Sequence, residues 1–226
     1  AGWAREFNWR LDLITVCSPL TKKILRDAGV KRPIAITGNG VEHLEAVKAE
    51  PAEIFLGTPG RFRFLHVSSG LPRKGVDVLL QAFARAFRND DPVTLVIKTT
   101  PDEANMAPEI LARLRGSRPD FPEVVLIDAD LPAGQLAWIY EQCDALALTP
   151  RAEGFGLPIA EAALRGLPCV TSDFGGQRCL VDETTAFLVP GRFDHARTHL
   201  SIPDSLWFEP DVEALAETLR RVAALP

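Results

Sequence analysis

No apolar run in this chain is long enough to span a bilayer, and the opening AGWAREFNWRLD has neither a basic start nor a hydrophobic signal core. A membrane anchor within these residues is therefore excluded. Positive charge is also in short supply, with 25 Lys and Arg against 30 Asp and Glu and a net charge of -5. That balance argues against broad attraction to nucleic acid or anionic lipid and leaves small molecules or proteins as the expected partners. The four cysteines, Cys17, Cys143, Cys169 and Cys179, lack the paired spacing of a zinc ribbon or a redox motif. Cys143 and Cys169 sit among apolar residues, where a reduced thiol packs as a small hydrophobe, so the expected location is the cytoplasm. His195 and His199 are four apart, but no acidic helix motif accompanies them and no metal is expected there. The remaining composition, 46% hydrophobic and 24% charged over 226 residues, is that of a folded chain with one good-sized core or two small ones. Because it opens on alanine close to the first strand signal, the chain reads as a piece of a longer one.

What is present is an alternation of strands and helices. Residues 13–17 (LITVC) read as a strand, 19–28 as a helix stopped by Gly29, and 33–37 as a strand running into Gly38-Asn39-Gly40. Residues 43–60 carry two prolines and two glycines without a sustained period and are read as a linker. Strands are then expected at 62–68, 93–98, 123–128, 144–149 and 168–172, with helices at 75–88, 106–115, 133–142 and 158–165. A long connection over 190–207 precedes a last helix at 211–224, where Leu215, Leu219 and Val222 fall at helical spacing. The cores TLVIK, VVLID and ALALT are continuously apolar, as strands buried on both faces should be. The fold class is thus α/β, a Rossmann-like doubly wound parallel sheet, which binds ligands at the carboxyl ends of its strands.

The loops at those ends carry the chemical signal. After 144–149 comes PRAEGFGLPIAE, in which Gly154 and Gly156 let backbone approach a ligand and Pro158 suits a first helical turn. Amide groups at such a helix start form a seat for a phosphate or a sugar hydroxyl, and Glu153 and Glu161 bracket it. Local spacing alone leaves blander readings open. Glu161 and Arg165 are four apart and can pair on a helix surface, Glu153 can simply favour the helix dipole, and Lys74 can be a solvated lysine. Arg73 reads as an ordinary exposed residue, His66 as a strand residue with a satisfied ring, and Trp207 and Phe208 as packing residues. Gly175-Gly176 reads most simply as a tight turn.

The stretch EGFGLPIAEA, with seven residues between Glu153 and Glu161, resembles the paired-glutamate motif of GT-B glycosyltransferases, especially glycosyltransferase family 4. FLHVSSGLPRKGVDVLLQAFARAF (64–87) is similar to that family's first donor-domain strand, lysine-glycine loop and helix. RGLPCVTSDFGGQRCLVDETTAFLV (165–189) resembles the stretch that follows the glutamate motif, and CSPLTKKILRDAGVKRPIAITGNGVE (17–42) the end of the acceptor lobe. The resemblance implies three segments: the tail of an N-terminal acceptor lobe (1–42), a linker (43–60) and a nucleotide-sugar donor domain (61–226). It implies hexose transfer from a nucleoside diphosphate sugar with retention and without a metal or other cofactor. The acceptor, a glycan or a lipid-linked molecule, would be held by a lobe missing here, and the protein would be cytoplasmic or peripheral to the inner face of a membrane. In this scheme Glu161 holds the ribose and Lys74 the diphosphate, while Glu153 and the amides of Gly154, Phe155, Gly156 and Leu157 contact the transferred sugar. The chain departs from the pattern by placing Ser68-Ser69 where members have a glycine followed by a diphosphate-binding arginine. Arg73 is the nearest candidate to compensate for Ser69, and Cys179 stands where an acidic residue is expected. A non-catalytic nucleotide-sugar-binding or assembly module is the alternative that these departures suggest. A dinucleotide-dependent dehydrogenase is disfavoured, because HVSSGLPRKG lacks the glycine fingerprint after the first strand.

Overall fold

The computed structural model describes residues 2–198 and 204–225. The chain opens with helix α1 (Gly2–Arg10), strand β1 (Ile14–Val16), helix α2 (Pro19–Asp27) and strand β2 (Ile34–Ile36), with β1 and β2 paired in parallel. Ser18 caps α2 by accepting the Thr21 amide, and Pro19 occupies the first turn, where a missing N–H costs nothing. Ala4, Ile14, Val16, Val30 and Ile34 bury together as a small core of their own.

The main body runs β3 (Phe62–Val67), α3 (Val76–Ala86), β4 (Val93–Thr99), α4 (Ala107–Ser117), β5 (Glu123–Asp128), α5 (Ala133–Glu141), β6 (Ala145–Leu148), α6 (Leu157–Leu164), β7 (Cys169–Ser172) and β8 (Phe187–Val189). Its six strands form one parallel sheet in the order β5-β4-β3-β6-β7-β8. An antiparallel ribbon, β9 (Gly191–His195) and β10 (Leu206–Pro210), leads into α7 (Val212–Ala223). Side chains alternate across each strand, so successive residues feed two cores. Phe64, Leu95 and Ile97 meet Leu79 and Phe83 of α3 and Leu215 and Leu219 of α7 on one face. Leu65, Val96 and Leu146 meet Ile139 of α5 and Ile159 of α6 on the other.

The structure departs from the sequence expectation in three places, the first being β8, a sixth strand of the main sheet where none was expected. Residues 2–10 form a helix of which Ala4 alone is buried, so its amphipathic signal is weak. Residues 190–207 were expected to be a connection but hold β9 and the start of β10. That ribbon is held by partners distant in sequence: Phe174 stacks on Phe208 at 5.5 Å and meets Phe193 edge-on at 4.8 Å. Residues 45–61 contain no regular element. All four cysteines are free, with Cys143 and Cys169 buried and Cys179 exposed.

His66, in β3, is completely buried. Its Nδ1 lies 2.9 Å from the Ala147 carbonyl and must carry the proton, which leaves Nε2 to accept from the Ser68 hydroxyl at 2.8 Å. The Ser68 oxygen in turn accepts the Gly70 amide at 3.1 Å. Burial lowers the ring from 6.5 to about 4, against the Ala147 hydrogen bond and with help from the nearby Lys74 charge. Below pH 6.5 the unfolded chain takes a proton that the folded chain refuses, so stability present above that pH is lost as pH falls toward about 4. Urea unfolding of the parent and of His66→Gln, near neutrality and near pH 4, should show a stability gap that shrinks by roughly 3 kcal/mol at the acid end. A gap independent of pH would mean that the ring is not held neutral.

Candidate functional site

The sheet order reverses between β3 and β6, and at such a switch point the loops leaving two neighbouring strands diverge around a crevice. Here the two loops touch at its floor. Gly75, at φ 70, lies where a Cβ would fall on the Thr149 carbonyl, and the Arg73 carbonyl accepts the amides of Arg151 at 2.8 Å and Ala152 at 3.2 Å. A side chain at position 75 would therefore push the first loop off the second.

The first loop carries Lys74, at the end of a 3₁₀ turn over Pro72–Lys74, and the second carries Glu153. Lys74 Nζ and Glu153 Oε2 pair at 2.6 Å, with side chains only 14% and 12% exposed. The other carboxylate oxygen accepts the amides of Gly154 at 3.0 Å and Phe155 at 3.3 Å. Burial by itself would raise the Glu153 pKa, but the Lys74 charge and these hydrogen bonds outweigh it and hold the carboxyl below its ordinary 4.5. Both glutamate oxygens are thus occupied, while the amides of Gly156 and Leu157 take no partner among the described residues.

Helix α6 starts at that point, with Pro158 in its first turn. One turn in, Glu161 Oε2 accepts the Tyr140 hydroxyl of α5 at 2.7 Å. Tyr140 is almost fully buried, and burial followed by the Glu161 charge raises its pKa well above the ordinary value, so it remains a donor. The surface pair with Arg165 that spacing allowed is not formed. Arg165 instead lies over the Tyr140 ring, 5.4 Å from its centroid, and donates to the Glu161 backbone carbonyl at 3.2 Å. Glu161 Oε1 has no partner among the described residues.

The other expected site residues divide plainly. Ser69 Oγ is buried without a partner among the described residues, whereas Arg73 is exposed and its side chain pairs with none of them. Of the two basic neighbours, only Lys74 reaches the pair. Phe155 is buried, its ring edge facing Gly38, so it joins the loop to the N-terminal segment. Cys17 Sγ reaches the Gly154 carbonyl at 3.3 Å from the same side. Gly176, whose Cβ would fall on that carbonyl, donates its amide to the Glu153 carbonyl at 2.7 Å, so the loop after β7 braces the one after β6. Leu157 is 41% exposed at the helix start. Among the described residues no group of three His, Cys, Asp or Glu converges as metal ligands, and His199 lies outside those residues.

At the far side of the crevice, Thr99 at the end of β4 donates to Asp128 at 2.8 Å. Asn105 Nδ2 donates to both the Thr99 hydroxyl and Asp128, each at 3.0 Å. This triad ties together the loops after β4 and β5. Lys98 beside it is buried, and burial lowers its pKa although Asp130 and Asp128 oppose the change. Neither Asn105 nor Lys98 carries a local sequence signal. Nor does Arg151, the fully hydrogen-bonded arginine behind the pair, whose partners Asp77 and Glu209 lie 74 and 58 positions away.

Solved structures of the GT-B fold share this architecture. The sucrose-phosphate synthase of Thermosynechococcus elongatus aligns at a TM-score of 0.73 and 21% identity, covering 97% of this chain and 51% of that one. Anabaena HepE, in complex with UDP and glucose, aligns at 0.70 and 22%, covering 98% and 58%. The six-stranded parallel sheet with its switch-point crevice is therefore the Rossmann-like lobe of the GT-B fold. The family model for Glycosyl transferases group 1 matches residues 61–224, and the chain belongs to that family. Curated relatives include the D-inositol 3-phosphate glycosyltransferase of Segniliparus rotundus, 29% identical over 72% of this chain and 34% of the relative. The GtfA subunit of the UDP-N-acetylglucosamine–peptide N-acetylglucosaminyltransferase of Streptococcus pneumoniae is 26% identical over 62% and 26%. The chain thus spans about a third of the length of these relatives or less.

Removing Lys74 leaves the Glu153 carboxylate desolvated without its compensating charge. In Lys74→Met the Glu153 midpoint, followed by NMR of a labelled carboxyl, should rise past its ordinary value. Stability near neutral pH should fall by about 3 kcal/mol. In the parent the pair's contribution is present above pH 4.5 and disappears as pH falls through the lowered midpoint, so the loss should fade toward acid.

Proposed function

We propose that this chain binds a nucleoside diphosphate sugar and supplies the donor half of a retaining, metal-independent hexosyltransferase. The observation that carries the reading is the convergence at one helix start of the Lys74–Glu153 pair, two unpartnered amides and the Tyr140-oriented Glu161. Lys74 would meet the diphosphate, and the amides of Gly156 and Leu157, at the positive end of α6, would take an anionic or hydroxyl oxygen. Glu161, with one oxygen fixed by Tyr140 and the other open, would hold the ribose hydroxyls. Glu153 would contact the transferred sugar once the ligand draws Lys74 toward the diphosphate. With a lysine and a helix start supplying the positive potential, the departing diphosphate needs no divalent ion. Support from outside the chain is that HepE is described in complex with UDP-glucose. The acceptor, a glycan or a lipid-linked molecule, would be bound by a second lobe, and transfer would take place in the cleft between the two, in or at the edge of the cytoplasm.

A non-catalytic binding module is the second reading. It rests on Ser69, whose buried hydroxyl supplies no charge, and on the outward-turned Arg73, which together leave one lysine at the diphosphate position. Transfer by this sequence joined to a complete acceptor lobe would favour the enzyme, and donor binding without transfer would favour the module.

Calorimetric titration of UDP should give the same affinity in chelator as in magnesium, and a strict magnesium requirement would sink the metal-free reading. Glu161→Ala should weaken UDP and free uridine alike, whereas Lys74→Ala should weaken UDP alone, each by about 1.5 to 3 kcal/mol. Unchanged binding in both variants would put the donor elsewhere.

A further inference from the structure

Arg151 is only 6% exposed, and every N–H of its guanidinium is used. Nη1 donates to the Pro72 carbonyl at 2.8 Å and to Asp77 Oδ1 at 2.6 Å. Nη2 donates to Asp77 Oδ2 at 2.8 Å and to Glu209 Oε1 at 2.7 Å, and Nε to Glu209 Oε2 at 2.6 Å. The Trp207 ring lies against the guanidinium, 4.6 Å from ring centroid to Cζ. The main chain of the same residue adds two links: its amide donates to the Arg73 carbonyl at 2.8 Å, and its carbonyl accepts the Phe208 amide at 3.0 Å.

These contacts have a specific consequence for the crevice. Pro72 and Arg73 immediately precede Lys74, and Arg151 precedes Glu153 by one intervening residue. A single buried side chain therefore ties down both segments from which the Lys74–Glu153 pair projects, and it fastens them to α3 through Asp77 and to β10 through Glu209 and Trp207. Two bidentate carboxylates on one planar fork fix orientation as well as distance, which a lysine at the same place cannot do.

We propose that Arg151 is a positioning residue for the donor's diphosphate, holding the loops after β3 and β6 in the register that sets Lys74 against Glu153, with the β9–β10 ribbon as its outer anchor. The role rests on the donor-site reading above, and Arg151, with its N–H groups already engaged, acts through Lys74 and Glu153. It gives the ribbon a function: Glu209 and Trp207 on one of its faces grip Arg151, while Phe193 and Phe208 on the other hold Phe174 ahead of Gly175 and Gly176.

The test compares the parent chain with Arg151→Met, Arg151→Lys and, should these not fold, Glu209→Gln and Trp207→Leu, which loosen the outer anchor only. Two quantities are read in each: the Glu153 carboxyl titration, and the ratio of UDP to uridine affinity. Positioning predicts that the Glu153 midpoint moves up toward its ordinary value and that UDP affinity falls by about tenfold while uridine affinity is unchanged. The lysine variant, which keeps the charge but not the fork, should behave like methionine rather than like the parent. A folded variant that is merely less heat-stable, with the Glu153 midpoint and the affinity ratio both unmoved, would overturn the proposal and leave Arg151 a structural staple. If the parent binds no nucleoside diphosphate of any base, the donor-site reading fails, while the Glu153 titration still decides whether Arg151 positions the pair.

Discussion

The crevice depends on the contact between two loops that leave adjacent parallel strands at the point where the sheet changes direction. Gly75 allows that contact because no side chain intervenes before the Thr149 carbonyl, and the Arg73 carbonyl secures it by accepting two amides from the opposite loop. Without it, Lys74 and Glu153 would stand on two independent loops of an α/β sheet. With it, an ammonium and a carboxylate 79 positions apart in the chain meet at 2.6 Å.

Such a contact brings charge into a place that water only partly reaches, and the structure answers that cost locally. Glu153 receives a cation on one oxygen and two amides on the other, Glu161 receives a buried tyrosine hydroxyl, and burial keeps His66, near Lys74, neutral. A buried ion pair of this kind contributes little net stability compared with apolar packing, but it is costly to break by removing one partner. That asymmetry suits a binding site. An incoming anion would take over the lysine only if other groups, such as the amides of Gly156 and Leu157 that have no partner among the described residues, shared the rearranged charge.

The β9–β10 ribbon belongs to the same system. Its aromatic residues pack on Phe174, and its Trp207 and Glu209 enclose Arg151, so it supports the loops after both β6 and β7. The N-terminal segment reaches the site from another side, through Cys17 at the Gly154 carbonyl and Gly38 beside Phe155. The loop carrying Glu153 is therefore buttressed by four stretches of chain distant from it in sequence: the ribbon, the N-terminal segment and the loops after β3 and β7.

The apolar strand cores TLVIK, VVLID and ALALT and the intervening helical periods determined a doubly wound parallel sheet, because strands covered on both faces read as near-continuous apolar runs rather than as an alternation. The helix start at Pro158 and the two flanking glutamates were equally legible, since capping and glycine placement act over a few residues. The ribbon over 191–195 and 206–210 was not legible, because the burial of Trp207 and Phe208 comes from their contacts with Arg151 and Phe174, which lie elsewhere in the chain. Local spacing also left Glu161 free to pair with Arg165, and it is the packing of α5 beside α6 that gives it to Tyr140. Arg151 makes the point most fully: an arginine in a loop between a strand and a glutamate is ordinary in sequence. Only the tertiary structure, by bringing Asp77 and Glu209 to one guanidinium, decides that it is buried, since the carboxylates that offset its desolvation come from distant parts of the chain.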